Sequence, residues 1–430
     1  MTRTRVRAYL TIFVFILAAI SYLDRTNISI AGVQLMPEFS LSNQELGYIL
    51  SAFLMGYGLC QIPGGWLAKR FGPRRVLTGG LFWWGALTCA ITFIQPSMAG
   101  AFWLIMGVRF LLGMGEAVMY PSSNQFTSTW IPTQERGLAN GLIFAGTGTG
   151  AALTAPFITW LMITYGWRES FYVSAAIGVG AAAVWYWYAR DTPEDHKDVN
   201  AEEVAYIKAG LTGGNKNAGE IAVPWKRILT SKDVLLNAFA YFCFCWVAFI
   251  FLSWFFIYVK NAYGLDLKKS ALYTMLPPGM MVVGSIVGGY LADRIARKRS
   301  AKAGRCTFSA VTLVLTAVLL AAGSQIATPS LAIAVLALGA GALYLSQSAY
   351  WALAADFGGP HAGPVSGLVN MAGMAAGTLT ASATPWIGDH YGWSSAFLVG
   401  AGFALAGAVA WMMVNADSRL HNQEKLQVEG

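Results

Sequence analysis

The chain is short of charge. Of its 430 residues, 12% are Asp, Glu, Lys or Arg against 56% hydrophobic, and the mean hydropathy is +0.51. A water-soluble protein carries roughly a quarter charged residues, so water is excluded as the solvent of most of this surface. No charge at all interrupts the stretches Glu45 to Lys69, Asp233 to Lys260 and Lys269 to Asp293. Each approaches the roughly 20 residues that a helix needs to cross about 30 Å of hydrocarbon. Metal and redox motifs are missing too. Cys60, Cys89, Cys243, Cys245 and Cys306 form no C-x-x-C pair, and His196, His361, His390 and His421 lack ligand spacing. No metal site is expected, and the thiols read as packing residues. There is no G-x-x-x-x-G-K-[ST] loop, and the Gly-x-Gly runs follow no strand. ATP hydrolysis and dinucleotide binding are therefore disfavoured; no cofactor is expected and the chain is not read as an enzyme.

What the sequence does contain is twelve apolar runs, at 8–31, 46–68, 76–95, 98–122, 137–161, 169–189, 234–259, 270–292, 306–326, 330–352, 361–388 and 393–415. Lipid offers no partners to backbone N–H and C=O groups, so the runs must be helices. The expected fold is an all-α membrane protein of twelve transmembrane helices in two pseudo-symmetric six-helix bundles, residues 1–189 and 233–430, with a cytoplasmic linker at 190–232. Arg3, Arg5 and Arg7 before an apolar run look like a signal peptide, but that run is too long and contains Asp24 and Arg25, so it reads as retained. Four cations (Arg168, Lys260, Lys268, Lys269) fall on one face, two (Arg25, Arg109) within spans, and the remaining 23 of the 29 on the other face. The positive-inside rule then puts both termini in the cytoplasm of a multi-pass protein of the bacterial inner membrane. The net charge of +8 follows from that bias and does not indicate nucleic acid. A monomer in the lipid bilayer is expected.

A duplication is visible. Gly65-Trp66-Leu67-Ala68-Lys69-Arg70 after the second run matches Gly289-Tyr290-Leu291-Ala292-Asp293-Arg294 after the eighth, and Tyr165-Gly166-Trp167 matches Tyr391-Gly392-Trp393. Two six-helix halves in the same orientation form the parallel-repeat plan of many secondary transporters, with a site between them near mid-membrane. The linker holds Asp191, Glu194, Asp195, His196, Lys197 and Asp198, a short surface helix around Ala201–Leu211 and the polar run Gly213-Gly214-Asn215-Lys216. Its mixed charges read as a solvated face.

Four charges lie within runs: Asp24 and Arg25 in the first, Arg109 and Glu116 in the fourth. Each costs about 2.5–3.5 kcal/mol on insertion scales, so such residues face the protein interior and are functional candidates. Arg109 and Glu116, seven apart, share a helix face. The quartet is neutral and could be two ion pairs that merely fix helices. Alternatively, a proton on Asp24 or Glu116 makes it net positive and frees an arginine for an anion. Burial and neighbouring arginines act oppositely on a carboxyl's ionisation, so substrate can move the balance. Arginine also grips a carboxylate through two parallel bonds. Proton and anion loading then assist each other, which is symport.

The run Tyr22-Leu23-Asp24-Arg25-Thr26-Asn27-Ile28-Ser29-Ile30-Ala31 closely resembles the first-helix signature of the anion:cation symporters of the major facilitator superfamily. That group includes bacterial sugar-acid transporters and the animal sialin and vesicular glutamate carriers. Gly107-Val108-Arg109-Phe110 through Gly115-Glu116, Ala117 and Pro121 is similar to its fourth-helix pattern. The resemblance implies that Arg25 contacts the substrate carboxylate, that Asp24 and Glu116 carry protons, and that Arg109 is the conformational partner of an acid. It also implies pocket positions for Tyr22 and Tyr57, which could equally be packing. In the second half it implies binding positions for Trp254, Ser346, Gln347, Tyr350 and Asn370. Asn370 stands out as a lone amide in an apolar helix, whereas Tyr350 and Trp351 could be interfacial anchors. The loop motif G-x-L-a-D-r-x-G-r-k implies a gating role for Gly65, Lys69, Arg70, Gly72, Arg74, Gly289, Asp293 and Arg294. Lys69 departs from it, standing where the family has Asp, and reverses an electrostatic contact to a helix N-terminus. The fifth run, Gly146-Thr147-Gly148-Thr149-Gly150 through Pro156, is built for close helix contact and lacks the Gly-Pro-x-x-Gly-Gly ending of drug antiporters. The resemblance thus implies uptake of a small organic anion, a sugar acid such as a hexonate, hexuronate or aldarate, with protons. Another carboxylate, a small sulfonate, or a channel-like passive carrier are the alternatives.

Overall fold

The computed structural model describes residues 4–132, 135–211, 225–358 and 362–416. The run Gly213–Lys216, His361 and His421 lie outside the described residues. Among those described, the helices form twelve rods and no strand. The first six are α1 (Val6–Phe39), α2 (Asn43–Phe71), α3 (Pro73–Ile91), α4 (Ala101–Glu116) continued by α5 (Met119–Trp130), α6 (Arg136–Thr164) and α7 (Trp167–Tyr188). Then come the linker helix α8 (Ala201–Leu211) and the short α9 (Trp225–Thr230). The last six are α10 (Lys232–Phe249) joined through a π-helical turn to α11 (Phe255–Tyr263), α12 (Leu267–Thr274) with α13 (Leu276–Lys298), α14 (Phe308–Gln325), α15 (Pro329–Tyr344) with α16 (Gln347–Gly358), α17 (Ala362–Tyr391) and α18 (Trp393–Met413). Ten rods are long and apolar enough to cross a bilayer by composition alone. The other two fall short for visible reasons: Arg74 and Arg75 open α3, and α17 is built from Gly, Ala, Ser and Thr.

The chain divides into two compact units. One holds the described residues of Met1–Leu41 and Ala52–Ile221; the other holds Ser42–Ser51 and the described residues of Ala222–Gly430. Within the first, α1 packs on α6 and α7, and α3 on α4 and α7. Within the second, α10 packs on α17 and α18, and α14 on α15 and α18. These are the same pairings six rods later, so the sequence repeat is a structural repeat. Leu59, Ile62, Trp103, Leu153 and Trp160 are among many large apolar side chains pointing outward, the inverse of a soluble surface and the expected face toward lipid.

Close approach explains the small residues. In α6, Gly146 and Gly150 lie against the backbone carbonyls of Phe15 and Ala19 in α1, where a Cβ would collide. Small residues let backbones meet in lipid, where no hydrophobic force drives helices together. In the second unit the opening of α2 docks on α17: Ser51 Oγ donates to the Thr378 carbonyl at 2.7 Å and lies 2.6 Å from Ser382 Oγ.

The linker is more than a solvated face. Glu203 of α8 is fully buried. It accepts the Val6 N–H at 3.1 Å and the Arg7 N–H at 3.3 Å, and pairs with the Arg7 guanidinium at 3.0 Å. Arg7 also bonds Glu135 through Nε at 2.9 Å, and the Tyr206 hydroxyl donates to Glu135 at 2.7 Å. One carboxylate thus caps the first turn of α1, favourable at the positive end of a helix, and α8 is pinned to the bundle. Asp191 acts similarly at α3, accepting the Arg74 N–H at 2.9 Å beside Gly72, whose φ is +82°. The expectation of a solvated linker holds for Glu194, Asp195, Lys197 and Asp198, which are exposed, and is corrected for Asp191, His196 and Glu203.

Candidate functional site

All four intramembrane charges belong to the first unit and are brought together there. Asp24 is 2% exposed, Arg109 1% and Glu116 0%, and the Arg25 side chain is 10% exposed. Arg25 Nε donates to Glu116 Oε1 at 2.7 Å. Among the described residues this is the one ion pair in the quartet, so the reading of two fixed ion pairs does not hold. Glu116 and Arg109 are the charges acting on Asp24, yet neither Asp24 carboxyl oxygen has a hydrogen-bond partner. Arg25 Nη2, Arg109 Nε and Glu116 Oε2 are likewise buried without one. Buried polar atoms are nearly always satisfied, and those that are not ask for a proton, a water or a ligand. The bilayer makes that demand stronger.

Aromatic faces surround the arginines. The Arg25 guanidinium carbon lies 4.2 Å from the ring centre of Tyr57, 4.9 Å from that of Tyr22 and 5.4 Å from that of Phe53. Arg109 lies 4.6 Å over Phe53. Ring quadrupoles stabilise a cation where water is scarce, so the rings help hold the Arg25 charge beside Glu116. Phe53 serves both arginines and was not singled out from sequence. Nor was Tyr120, which stacks on Phe144 at 5.4 Å and sits within electrostatic reach of Tyr22, Tyr57, Arg25 and Glu116. An aromatic in an apolar run carries no mark distinguishing a pocket wall from a lipid-facing ring.

Local backbone sets this geometry. Gly113 of α4 approaches the Phe53 carbonyl of α2 so closely that any Cβ would overlap it. That contact brings Phe53 and Tyr57 against the helix bearing Arg109 and Glu116. Glu116 is the last residue of α4, followed by the break at Ala117 and Val118.

The second unit's candidates stand differently. Trp254 is fully buried in the π-helical turn, and its Nε1 donates to the Ala381 carbonyl at 3.0 Å. Ser346, in the turn between α15 and α16, donates through Oγ to the Leu343 carbonyl at 2.8 Å. Tyr350 is fully buried among Trp411 at 4.9 Å, Tyr241 at 5.1 Å and Phe244 at 5.3 Å, which rules out an interfacial anchor. All three are buried within the second unit, and the Tyr350 hydroxyl has no hydrogen-bond partner there. Gln347 and Asn370 are half-buried, and Gln347 Oε1 has no hydrogen-bond partner.

Of the loop-motif residues, Lys69 and Arg70 are exposed, with Arg70 over Trp66 at 5.0 Å. Arg74 donates through Nε and Nη2 to the Tyr186 carbonyl at 2.9 and 2.7 Å. Gly65 and Gly289 are half-buried near Pro121 and Ser348. Asp293 is exposed, and Arg294 donates to the Tyr290 hydroxyl at 3.3 Å.

Comparison with known proteins agrees with this architecture. The profile of the Major Facilitator Superfamily matches residues 14–381. The chain is 31% identical over 398 residues to a probable sulfoacetate transporter of Cupriavidus necator, covering 92% of this chain and 91% of that one. It is 28% identical to the hexuronate transporter of Bacillus subtilis, covering 93% and 92%. It is 32% identical to the probable galactarate/D-glucarate transporter of Escherichia coli over 68% of each chain. Among solved structures, a bacterial homologue of the human lysosomal transporter Spinster superposes with a TM-score of 0.76 over 96% of this chain and 97% of its own at 15% identity. A D-xylose–proton symporter does so with 0.73 over 94% and 98% at 16% identity. The structural matches speak to fold alone.

Proposed function

The chain belongs to the Major Facilitator Superfamily, a family of transporters rather than enzymes, and from that premise we propose that it imports a small organic anion together with protons. The observation that carries this reading is Arg25, an arginine held against three aromatic rings whose counter-ion, Glu116, is a buried titratable group. An anionic cargo and Glu116 compete for the same guanidinium. When Glu116 takes a proton, the ion pair weakens and Arg25 turns its donors to the cargo's carboxylate or sulfonate. When the proton leaves, Glu116 reclaims Arg25 and expels the anion. Asp24, with both oxygens unbonded, is the second proton carrier, and Arg109 balances its charge.

Sugar acids are the first choice of cargo. Hexuronate and probable galactarate/D-glucarate transporters are among the relatives, and the tyrosines around Arg25, Tyr22, Tyr57 and Tyr120, are of a chemistry that suits a polyhydroxylated chain. A small sulfonate is the second reading, favoured by the sulfoacetate relative. Two repeated units suit alternating access, and the cation bias suits a bacterial inner-membrane protein with both ends cytoplasmic.

Purified protein in proteoliposomes with an inward-directed proton gradient should concentrate a hexuronate or an aldarate above its external level. A protonophore should stop accumulation yet leave anion exchange intact. Accumulation that ignores the gradient, or no uptake across a panel of carboxylates and sulfonates, rejects the proposal.

A further inference from the structure

A run of like charge lies outside the site just described, between α13 and α14. From Arg294 to Arg305 the sequence carries Arg294, Arg297, Lys298, Arg299, Lys302 and Arg305, and no acid. Arg305 pairs with Asp356, and Arg294 leans on the Tyr290 hydroxyl. Arg297, Lys298, Arg299 and Lys302 are exposed and have no anionic partner among the described residues. They are not on a loose tail. Lys298 ends α13, and a π-helical segment already begins at Lys302. Ser300 Oγ accepts the Ala303 N–H at 3.1 Å, and Gly304 packs on the backbone of Ala292 and Ala296. Four like charges are therefore held within one ordered turn, with Asp293 the acid that directly precedes it in sequence.

The corresponding turn of the first unit answers two of its four cations internally, while Lys69 and Arg75 are exposed. Arg74 is bound by the Tyr186 carbonyl, Arg70 lies on Trp66 and Phe71, and Asp191 sits at the turn itself. In the second-unit turn Arg294 and Arg305 have partners of their own, whereas Arg297, Lys298, Arg299 and Lys302 have no anionic one among the described residues, which leaves room for a counter-charge from outside.

The helix leading into it indicates the source. Val283, Val287, Tyr290, Arg294 and Lys298 follow one another at spacings of three or four residues and so share one face of α13. Val283, Ile286, Val287 and Tyr290 are all exposed. The face passes from aliphatic to aromatic to cationic over about 22 Å from Val283 to Lys298. That order matches acyl chain, interface and phosphate in a single leaflet. The geometry points to a binding site for one anionic phospholipid, its acyl chain along Val283 and Val287, its glycerol at Tyr290, and its phosphate among Arg294, Arg297, Lys298 and Lys302. Basic clusters beside a transmembrane helix attract acidic lipids.

The test is native mass spectrometry of the full-length purified protein with phosphatidylglycerol, chain-matched phosphatidylcholine, and the chain-free headgroup glycerophosphoglycerol. Phosphatidylglycerol should be retained at least tenfold more tightly than phosphatidylcholine, and the headgroup alone should fail to compete. The variant R297Q/K298Q/R299Q/K302Q should lose that preference, whereas K226Q/K232Q should keep it. Raising salt from about 0.05 to about 0.5 M should weaken phosphatidylglycerol retention on the unmodified protein several-fold, a measurement that does not depend on the variant inserting correctly. Equal retention of the two lipids, competition by the free headgroup, a quadruple variant that behaves like the parent, or indifference to salt each overturns the site.

Discussion

Arg25 Nε donates to Glu116 Oε1 at 2.7 Å while the guanidinium carbon rests 4.2 Å from the centre of the Tyr57 ring. One arginine is thus tied to an acid at its edge and to an aromatic on its face. Only the first tie responds to a proton. Arg25→Ala should lower organic-anion affinity by roughly 10- to 100-fold, the value of one or two charge-assisted hydrogen bonds. Arg25→Lys should fall between, because an ammonium cannot form two parallel bonds. Ligand-induced stabilisation of the purified variants reads both; unchanged affinity in Arg25→Ala would move the site elsewhere.

Glu116→Gln keeps the shape and a hydrogen-bonding group but cannot release a proton. Exchange of external for internal anion should persist, and accumulation driven by a pH gradient should vanish. Parent and variant accumulating equally across the same gradient is the outcome that removes Glu116 from the proton path.

Gly113→Ala pushes a methyl into the Phe53 carbonyl and should destabilise the first unit by about 1–3 kcal/mol, as overpacking does. Gly107 lies on the same helix with no atom near its missing Cβ, so Gly107→Ala should melt like the parent. Thermal unfolding in detergent compares them, and equal midpoints would show that the α2–α4 crossing can relax.

Arg7 and Glu203 should be strongly coupled. The Glu203 side chain is fully buried and that of Arg7 is 10% exposed. Removing either partner should therefore cost about 3–5 kcal/mol. A cycle of Arg7→Ala, Glu203→Ala and the double variant should give an interaction of at least about 1 kcal/mol. Additive losses would mean that the two act separately.

His196 lies in the linker and is 4% exposed. Burial pushes its imidazole below the ordinary histidine value, and its Nδ1 accepts the Asp198 N–H at 3.2 Å, a bond that protonation would break. The sign follows: the folded linker favours neutral His196, so this contribution is intact at neutral pH and is lost as pH falls through the lowered value. Imidazole NMR with His196→Gln for assignment should place its midpoint under about 6.5; a midpoint at or above that value refutes the burial argument.

Much of the fold could be read from charge-free runs, because lipid forbids the alternatives. The rods were legible for that reason, and so was the linker helix Ala201–Leu211, which falls where the sequence put it. The quartet was legible because charge in hydrocarbon is rare. The breaks within rods, at Ala117–Val118 and at the π-helical turn Ile250–Trp254, left no mark, since residues there are as apolar as their neighbours. Phe53 and Tyr120 were hidden in the same way. Asp191 and Glu203 were misread for the opposite reason. Acids amid other charges look solvated, and only the three-dimensional path of the linker shows that each meets the start of a helix.

The bond from Glu203 to the N–H of Arg7 joins residues 196 positions apart. A ribosome makes α1 first, so that helix enters the bilayer with its opening turn unfinished. The carboxylate that completes it arrives only after five further rods and the start of the linker have been synthesised. The first unit is therefore sealed late, by its own last helix, and a nascent chain stalled before residue 203 should stay open to quality-control proteases however many of its rods are already in place.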